Sequence, residues 1–237
     1  MRCLFMAWDS IWEKIFSERE WGKYPPEELI RFIARNFYSA PNRKEIRILE
    51  VGCGQGANVW YIAREGFTVY GIEGSETGAL KTKNRLDDEV EGWQGEIKVG
   101  DIMSLPYQND FFDAVIDLEA ISANNHEDAK KIFDEIYRVL KPGGKLFTKH
   151  FAEGSWGDKT GENVDYGSWL VSEGPMEGKG LCRFASREDM EELLEGFEIL
   201  EFDLHIRTQN NLANRIIEWI FTAQKNKKSR GDVYGVF

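Results

Sequence analysis

Three observations place this 237-residue chain in the α/β class, a layered sandwich of helices around a mostly parallel sheet. An apolar run, Ile46 to Val51, breaks at a glycine turn holding Gly52, Gly54 and Gly56; a helical stretch then leads to a second apolar run, Phe67 to Ile72, ending on Glu73. Strand, turn, helix and strand in that order are a βαβ unit, whose strands lie parallel. Phe112 to Leu118 is almost continuously apolar, as a parallel strand covered on both faces must be. Phe197–Arg207 and Ile216–Ala223 read as two strands with no helix between them, an antiparallel pair at one sheet edge.

Residues 1–38 read as helical. Trp8, Ile11, Trp12, Ile15 and Phe16 share one helical face. Pro25-Pro26 suits the start of a second helix, with Leu29, Ile30, Ile33 and Phe37 inward. Trp8, Trp12, Trp21 and Tyr24 either pack the core or form a lid over a ligand. The periodicity then predicts strand 46–51, helix 57–65 and strand 67–72. A helix capped by Ser75 follows, then a short strand from Glu96 to Gly100 and a turn at 105–110. A further helix, Glu127–Leu140, is stopped at Lys141-Pro142-Gly143-Gly144. A strand, Lys145–Phe151, comes next. Residues 152–181 are glycine-rich and show no regular period, the pattern of a binding loop or of a surface insertion. Ser186, with Asp189 three residues on, caps the helix Arg187–Glu195. The basic run Lys225–Arg230 reads as a solvated tail.

Hydrophobic residues make up 42% of the chain and charged residues 30%, an ordinary soluble composition. A net charge of −11 argues against a nucleic-acid partner, since phosphate binding needs a basic face. Cys3, Cys53 and Cys182 form no CxxC pair, so neither a disulfide framework nor a zinc site is expected. With His126, His150 and His205 as its only histidines, the chain is expected to hold no metal. The apolar start, interrupted by Asp9 and Glu13, is too short for a secretory or membrane segment. A cytoplasmic location, with no membrane partner, is the expectation.

The glycine turn has two readings. Gly52-Cys53-Gly54-Gln55-Gly56-Ala57 satisfies G-x-G-x-x-G/A, with an acid, Glu73, at the dinucleotide distance. Tyr137-x-x-x-Lys141 even matches a dehydrogenase pair, but Lys141 sits at a helix stop rather than along a helix lining a cleft. Four features point elsewhere: Glu50 two residues before the first glycine; Gly100-Asp101-Ile102 after the third strand; Phe111-Phe112-Asp113-Ala114-Val115; and Arg138-Val139-Leu140-Lys141-Pro142-Gly143-Gly144. In this order they resemble the class I S-adenosylmethionine-dependent methyltransferases, over about residues 46–151, and more narrowly the small-molecule enzymes of the type 11 kind.

The resemblance implies a single Rossmann-like three-layer domain with a seven-stranded, mostly parallel sheet of order 3-2-1-4-5-7-6, strand 7 antiparallel. It would comprise an N-terminal helical cap (1–45), a cofactor-binding core (46–151), a glycine-rich loop (152–181) and a C-terminal helix with antiparallel strands (182–225). It further implies S-adenosyl-L-methionine as cofactor. Glu50, Gly52, Gly54 and Gly56 would hold its methionine end, Glu73 and Gly74 its ribose, and Asp101 and Ile102 its adenine, with Leu118 and Glu119 beside the sulfonium.

Direct in-line methyl transfer to a small molecule is the expected reaction. If the acceptor must lose a proton, Glu119, His150 and His126 are the candidate bases, being near the carboxyl ends of strands. His150 has an alternative role as a packed strand-end residue, and His205 is expected to be structural or exposed. Two other functions remain open: an NAD(P)-dependent oxidoreductase, and a non-catalytic module that binds S-adenosylmethionine to regulate a partner.

Overall fold

The computed structural model describes residues 8–226; Cys3, the chain start through Ala7 and the basic run beyond Asn226 lie outside them. Helix α1 (Ile11–Glu18) begins three residues after Trp8, because Asp9 Oδ1 accepts the Ile11 N–H at 3.0 Å and sets the helix start there. Trp8 therefore precedes the helix and is not part of its face. Helix α2 (Glu27–Phe37) follows Pro26, with Glu27 and Glu28 at its positive end and Arg35 in its last turn. It buries Leu29, Phe32, Ile33 and Phe37, whereas Ile30 points outward, because spacings of three and four from Leu29 fall on Phe32 and Ile33.

Next come β1 (Arg47–Val51), α3 (Ala57–Arg64), β2 (Thr68–Glu73) and α4 (Glu76–Glu89), whose first turn Ser75 caps by accepting from Gly78 N at 2.9 Å. Strand β3 (Gln94–Val99) is an exposed edge. Strand β4 (Phe112–Leu118) lies parallel between β1 and the longer β5 (Leu140–Phe151). Helix α5 (His126–Val139) starts one residue before the predicted bound because Asn125 Oδ1 caps it from Asp128 N at 2.8 Å. The Lys141–Gly144 stop ends this helix but does not delay the strand. Leu140 already pairs with Phe112 and Lys145 with Ala114, so the four residues bulge opposite Asp113, whose carboxylate binds Lys141 Nζ at 2.7 Å.

Residues 152–181 are more ordered than their composition suggested. Strands β6 (Glu162–Asp165) and β7 (Ser168–Leu170) join β8 (Cys182–Arg183) in a small antiparallel sheet. Strands of two to four residues are too short to display alternation. Their apolar side, with Val171, Met176, Cys182 and Phe184, packs on Phe151, Ile216 and Trp12, tying the segment to the cap.

Helix α6 (Arg187–Leu193) carries the predicted capping box: Ser186 Oγ accepts from Asp189 N at 3.0 Å and the Asp189 carboxylate from Ser186 N at 2.9 Å. Ser186→Ala should cost about 1 kcal/mol of unfolding free energy in a urea titration; an unchanged midpoint would show that α6 is held by its buried face alone. Strands β9 (Phe197–Gln209) and β10 (Asn214–Lys225) form the closing antiparallel pair, and β10 also runs antiparallel to β5. The large sheet has the order β3-β2-β1-β4-β5-β10-β9. Counting its seven strands alone, this is 3-2-1-4-5-7-6, the expected topology. Its cores lie on opposite faces, one built around α5 and α6 and the other around α2, α3 and α4. No helix among the described residues is long and apolar enough to cross a membrane.

Candidate active site

The order reversal between β1 and β4 opens a crevice at the carboxyl ends of the parallel strands, where α/β sheets bind ligands. A cavity of about 350 Å³ occupies it. One wall is the glycine turn and strand ends, with Glu50, Gly52, Gly54, Asn58, Glu73, Gly74, Gly100 and Ile102. The opposite wall is Leu118, Glu119, Ala120 and Lys149, and the roof is Trp8, Trp12, Phe16, Trp21, Tyr24 and Met176. Of the four aromatics with two possible roles, all line the cavity.

The turn is tightly built. Gly52 sits at φ 68° with its would-be Cβ overlapping that of Ala120, so two loops meet there only because the side chain is absent. The N–H groups of Gly52 and Cys53 both donate to Ile72 O (2.8 and 3.1 Å), Gly56 N to Cys53 O (2.9 Å), and Gly54 N to Glu73 Oε2 (2.8 Å). Glu73 Oε1 accepts from Ser75 N at 2.9 Å. Burial is the main cause raising this carboxyl's pKa, and the amides oppose it.

Glu50 differs. Its Oε1 accepts from Asn58 Nδ2 at 2.6 Å, while its Oε2 and Asn58 Oδ1 are buried without a partner. Burial, reinforced by the charges of Asp117 and Glu73, pushes its pKa up to about 8. Two orphaned acceptors on the cavity wall are costly unless a donor arrives.

The cap is tied to α4 by Lys81–Glu20 (3.1 Å) and by Arg85 donating to Lys23 O (2.7 Å), and two further latches lie beside the cavity. Glu13 of α1 accepts from Ser75 Oγ (2.5 Å), Thr77 N (3.2 Å) and Thr77 Oγ1, bonds that hold its pKa low. Gln55 in the turn accepts from Trp21 N at 2.9 Å and donates to Arg19 O at 2.8 Å. Trp8 covers Gly74 so closely that a Cβ there would overlap its ring.

Not every predicted residue reaches the cavity wall. Gly56 opens α3 and faces Thr82. Asp101 turns its Oδ1 to Met103 N at 2.9 Å, while its neighbours Gly100 and Ile102 line the wall. His150 is fully buried beneath it. Its Nδ1 meets Ser122 Oγ at 3.1 Å and its Nε2 meets Thr148 Oγ1 at 2.7 Å, and Asp117 Oδ2 lies at 3.3 Å. Burial, and secondarily the Arg183 charge, push its pKa well down, so the ring is a neutral strut under the turn that carries Glu119. His126 points at Glu192 on α6, 3.5 Å away. Of the three candidate bases, only Glu119 lines the cavity.

Asn58, Gln55 and Lys149 were missed. Asn58 interrupts an apolar helical run and Lys149 an apolar strand, and a polar residue in such a place is the signal that marks them. Lys149 Nζ lies 3.1 Å from buried Glu218 Oε2 and 3.6 Å from Glu119 Oε1. Burial and the Glu218 carboxylate push Glu119 up to about 8. Burial acts the same way on Glu218, but the Glu119 hydrogen bond, Lys149 and Arg207 outweigh it and keep that group ionised.

Residues 49–148 match the family model described as "Methyltransferase domain". The norajmaline N-methyltransferase of Rauvolfia serpentina is 30% identical over 137 residues, 53% of this chain and 42% of that one. A sterol 24-C-methyltransferase of Clavispora lusitaniae is 30% identical over 206 residues, 78% of this chain and 51% of that one. The chain thus spans about half or less of the length of these curated relatives. A methyltransferase structure from Methanosarcina mazei superposes with a TM-score of 0.65 at 21% identity, covering 78% of this chain and 94% of that one. Magnesium protoporphyrin IX methyltransferase of Synechocystis, solved with its cofactor, gives 0.59 at 15% identity over 84% of this chain and 79% of that one. At such identities the two superpositions speak for the fold.

Proposed function

We propose that this chain, a member of the class I S-adenosylmethionine-dependent methyltransferases, transfers a methyl group to a small molecule bound under its aromatic roof. The observation that carries this reading is the orphaned pair Glu50 Oε2 and Asn58 Oδ1 on the cavity wall beside the glycine turn. Two acceptors at a carboxylate suit the ammonium of an amino-acid end. They are wrong for a pyrophosphate, which would find no free donors there, the amides of Gly52, Cys53, Gly54 and Gly56 being already used by the chain itself. That favours the sulfur cofactor over NAD(P).

The residues present fit the cofactor. Glu50 and Asn58 would hold its ammonium, Glu73 its ribose hydroxyls, and Ile102 would pack on its adenine. When bound, the cofactor supplies a methyl group activated by a positive sulfur. The chain supplies position and dryness: a roof latched by Glu13 and Gln55 excludes water, and the facing wall with Glu119 holds the nucleophile in line. Calorimetric titration with S-adenosylhomocysteine and with NAD(P) tests the reading; binding of the dinucleotide alone would overturn it.

Glu50→Gln probes the same pair through pH. The buried carboxyl titrates near 8, above its unfolded value, so the wild type loses stability as pH rises towards 8 and the glutamine variant does not. The melting temperature of the ligand-free variant should exceed that of the wild type by more at pH 8.5 than at pH 5, while its affinity for S-adenosylhomocysteine falls about tenfold, or about 1.4 kcal/mol. Equal pH dependence in the two proteins would place the raised acidity elsewhere.

A further inference from the structure

We infer that the methyl acceptor is an amine, held as its ammonium between the Trp12, Phe16 and Trp21 rings and the Glu119 carboxylate; this rests on the methyl-transfer reading and names its second substrate. Charge is the first argument. The cavity wall carries the acidic side chains of Asp9, Glu50, Glu73 and Glu119 against one basic side chain, Lys149. Glu50 and Glu73 belong to the cofactor end, and Asp9 Oδ1 is held by Ile11 N. Lys149 is drawn to Glu218, a fully buried carboxylate behind the wall that also has Arg207 within 3.6 Å. What remains for an acceptor is Glu119, whose side chain is 31% exposed on the cavity side.

The position of Glu119 is built rather than incidental. The residue sits at φ 69°, unusual for glutamate, and its N–H donates to Lys149 O at 3.0 Å. Asp117 Oδ1 accepts from Ile121 N at 3.1 Å, which pins the turn on its other side.

The roof supplies the second half. Ring centroids of Trp12 and Phe16 lie 5.6 Å apart, of Trp12 and Trp21 5.7 Å, and of Phe16 and Trp21 6.1 Å, the Trp21 pairs edge-on. Trp21 already takes one cation, Lys179 Nζ, 5.0 Å from its ring centroid. Aromatic rings lining a cavity are a usual recognition of an ammonium, and the Glu119 carboxyl lines the same cavity. An anionic acceptor would be repelled once Glu119 ionises, and a neutral one would leave the Glu119 proton in place and gain no charge pair.

The proton account closes. At neutral pH Glu119 carries a proton, and an arriving ammonium displaces it to solvent. The nitrogen then gives one proton to the Glu119 carboxylate and attacks with its freed pair. A bond forms from nitrogen to the methyl carbon, and the carbon–sulfur bond breaks with its electrons going to sulfur.

Calorimetry on the full chain, with and without S-adenosylhomocysteine, tests this with 2-phenylethylamine, 2-phenylethanol and phenylacetate as probes. The amine should bind at least about tenfold more tightly than either analogue, release a proton to the buffer at pH 7, and weaken as pH falls below about 8. Glu119→Gln should erase the preference, and Trp12→Leu should weaken the amine with the fold intact by melting. The proposal is overturned if the alcohol or carboxylate matches the amine, if the amine does not bind, or if the preference survives Glu119→Gln. Failure of S-adenosylhomocysteine to bind would instead sink the methyl-transfer reading, since the amine preference is measured without it as well.

Discussion

Glu73→Ala should weaken S-adenosylhomocysteine binding by at least about 100-fold, or about 2.7 kcal/mol. Two losses combine. The ribose hydroxyls would lose a charged acceptor, and hydrogen bonds to charged groups are worth about 1.5–3 kcal/mol. Gly54 N and Ser75 N would also lose their partner, freeing the turn and the start of α4 from each other. Glu73→Asp separates the two effects: a shorter acid should regain part of the binding even where it fails to reach both amides. Calorimetry decides, and a Glu73→Ala protein that binds within threefold of the wild type would remove Glu73 from the site.

Gly52→Ala should be strongly damaging. A non-glycine residue at φ 68° costs about 1–2 kcal/mol. Forcing the new methyl against that of Ala120 adds about 1–3 kcal/mol of overpacking, for roughly 2–5 kcal/mol in total. The overlap makes a rescue possible. Adding Ala120→Gly should recover about 1–3 kcal/mol in urea titrations, while the backbone strain persists. Strict additivity of the two changes would mean that the loops do not press on each other there.

Much of this was legible because the physics was local. The βαβ unit, the Ser75 and Ser186 caps and the closing antiparallel pair each rest on a short pattern that nothing distant overrides. The bulge at Lys141–Gly144 was not legible, since its proline and glycines end a helix whether or not a neighbouring strand pairs across them. Residues 152–181 hid a sheet whose strands are too short to alternate. Within the site, residues attached to the glycine turn could be read from spacing. His150 could not: facing the crevice or lying under it depends on which side of β5 points down, and Thr148, Ser122 and Asp117 hold it under. Lys149 and Glu218 lie 69 positions apart by their numbers, and only the β5–β10 pairing brings them together.

The way the roof is fastened bears on how such a chain can diversify. Of the two latches beside the cavity, one uses a single cap side chain, Glu13, and the other grips only main-chain atoms, Trp21 N and Arg19 O. Trp8 and Phe16 also press on Gly74, Gly54 and Gly78, so among the cap residues over the cavity it is the exposed Tyr24 that can vary most freely. The matched domain, residues 49–148, contains neither the cap nor the glycine-rich segment that supplies Met176. Part of the cavity lining therefore lies outside the matched stretch, in the cap and the glycine-rich segment, where substitutions can reshape the roof while Glu50, Glu73 and Glu119 stay in place.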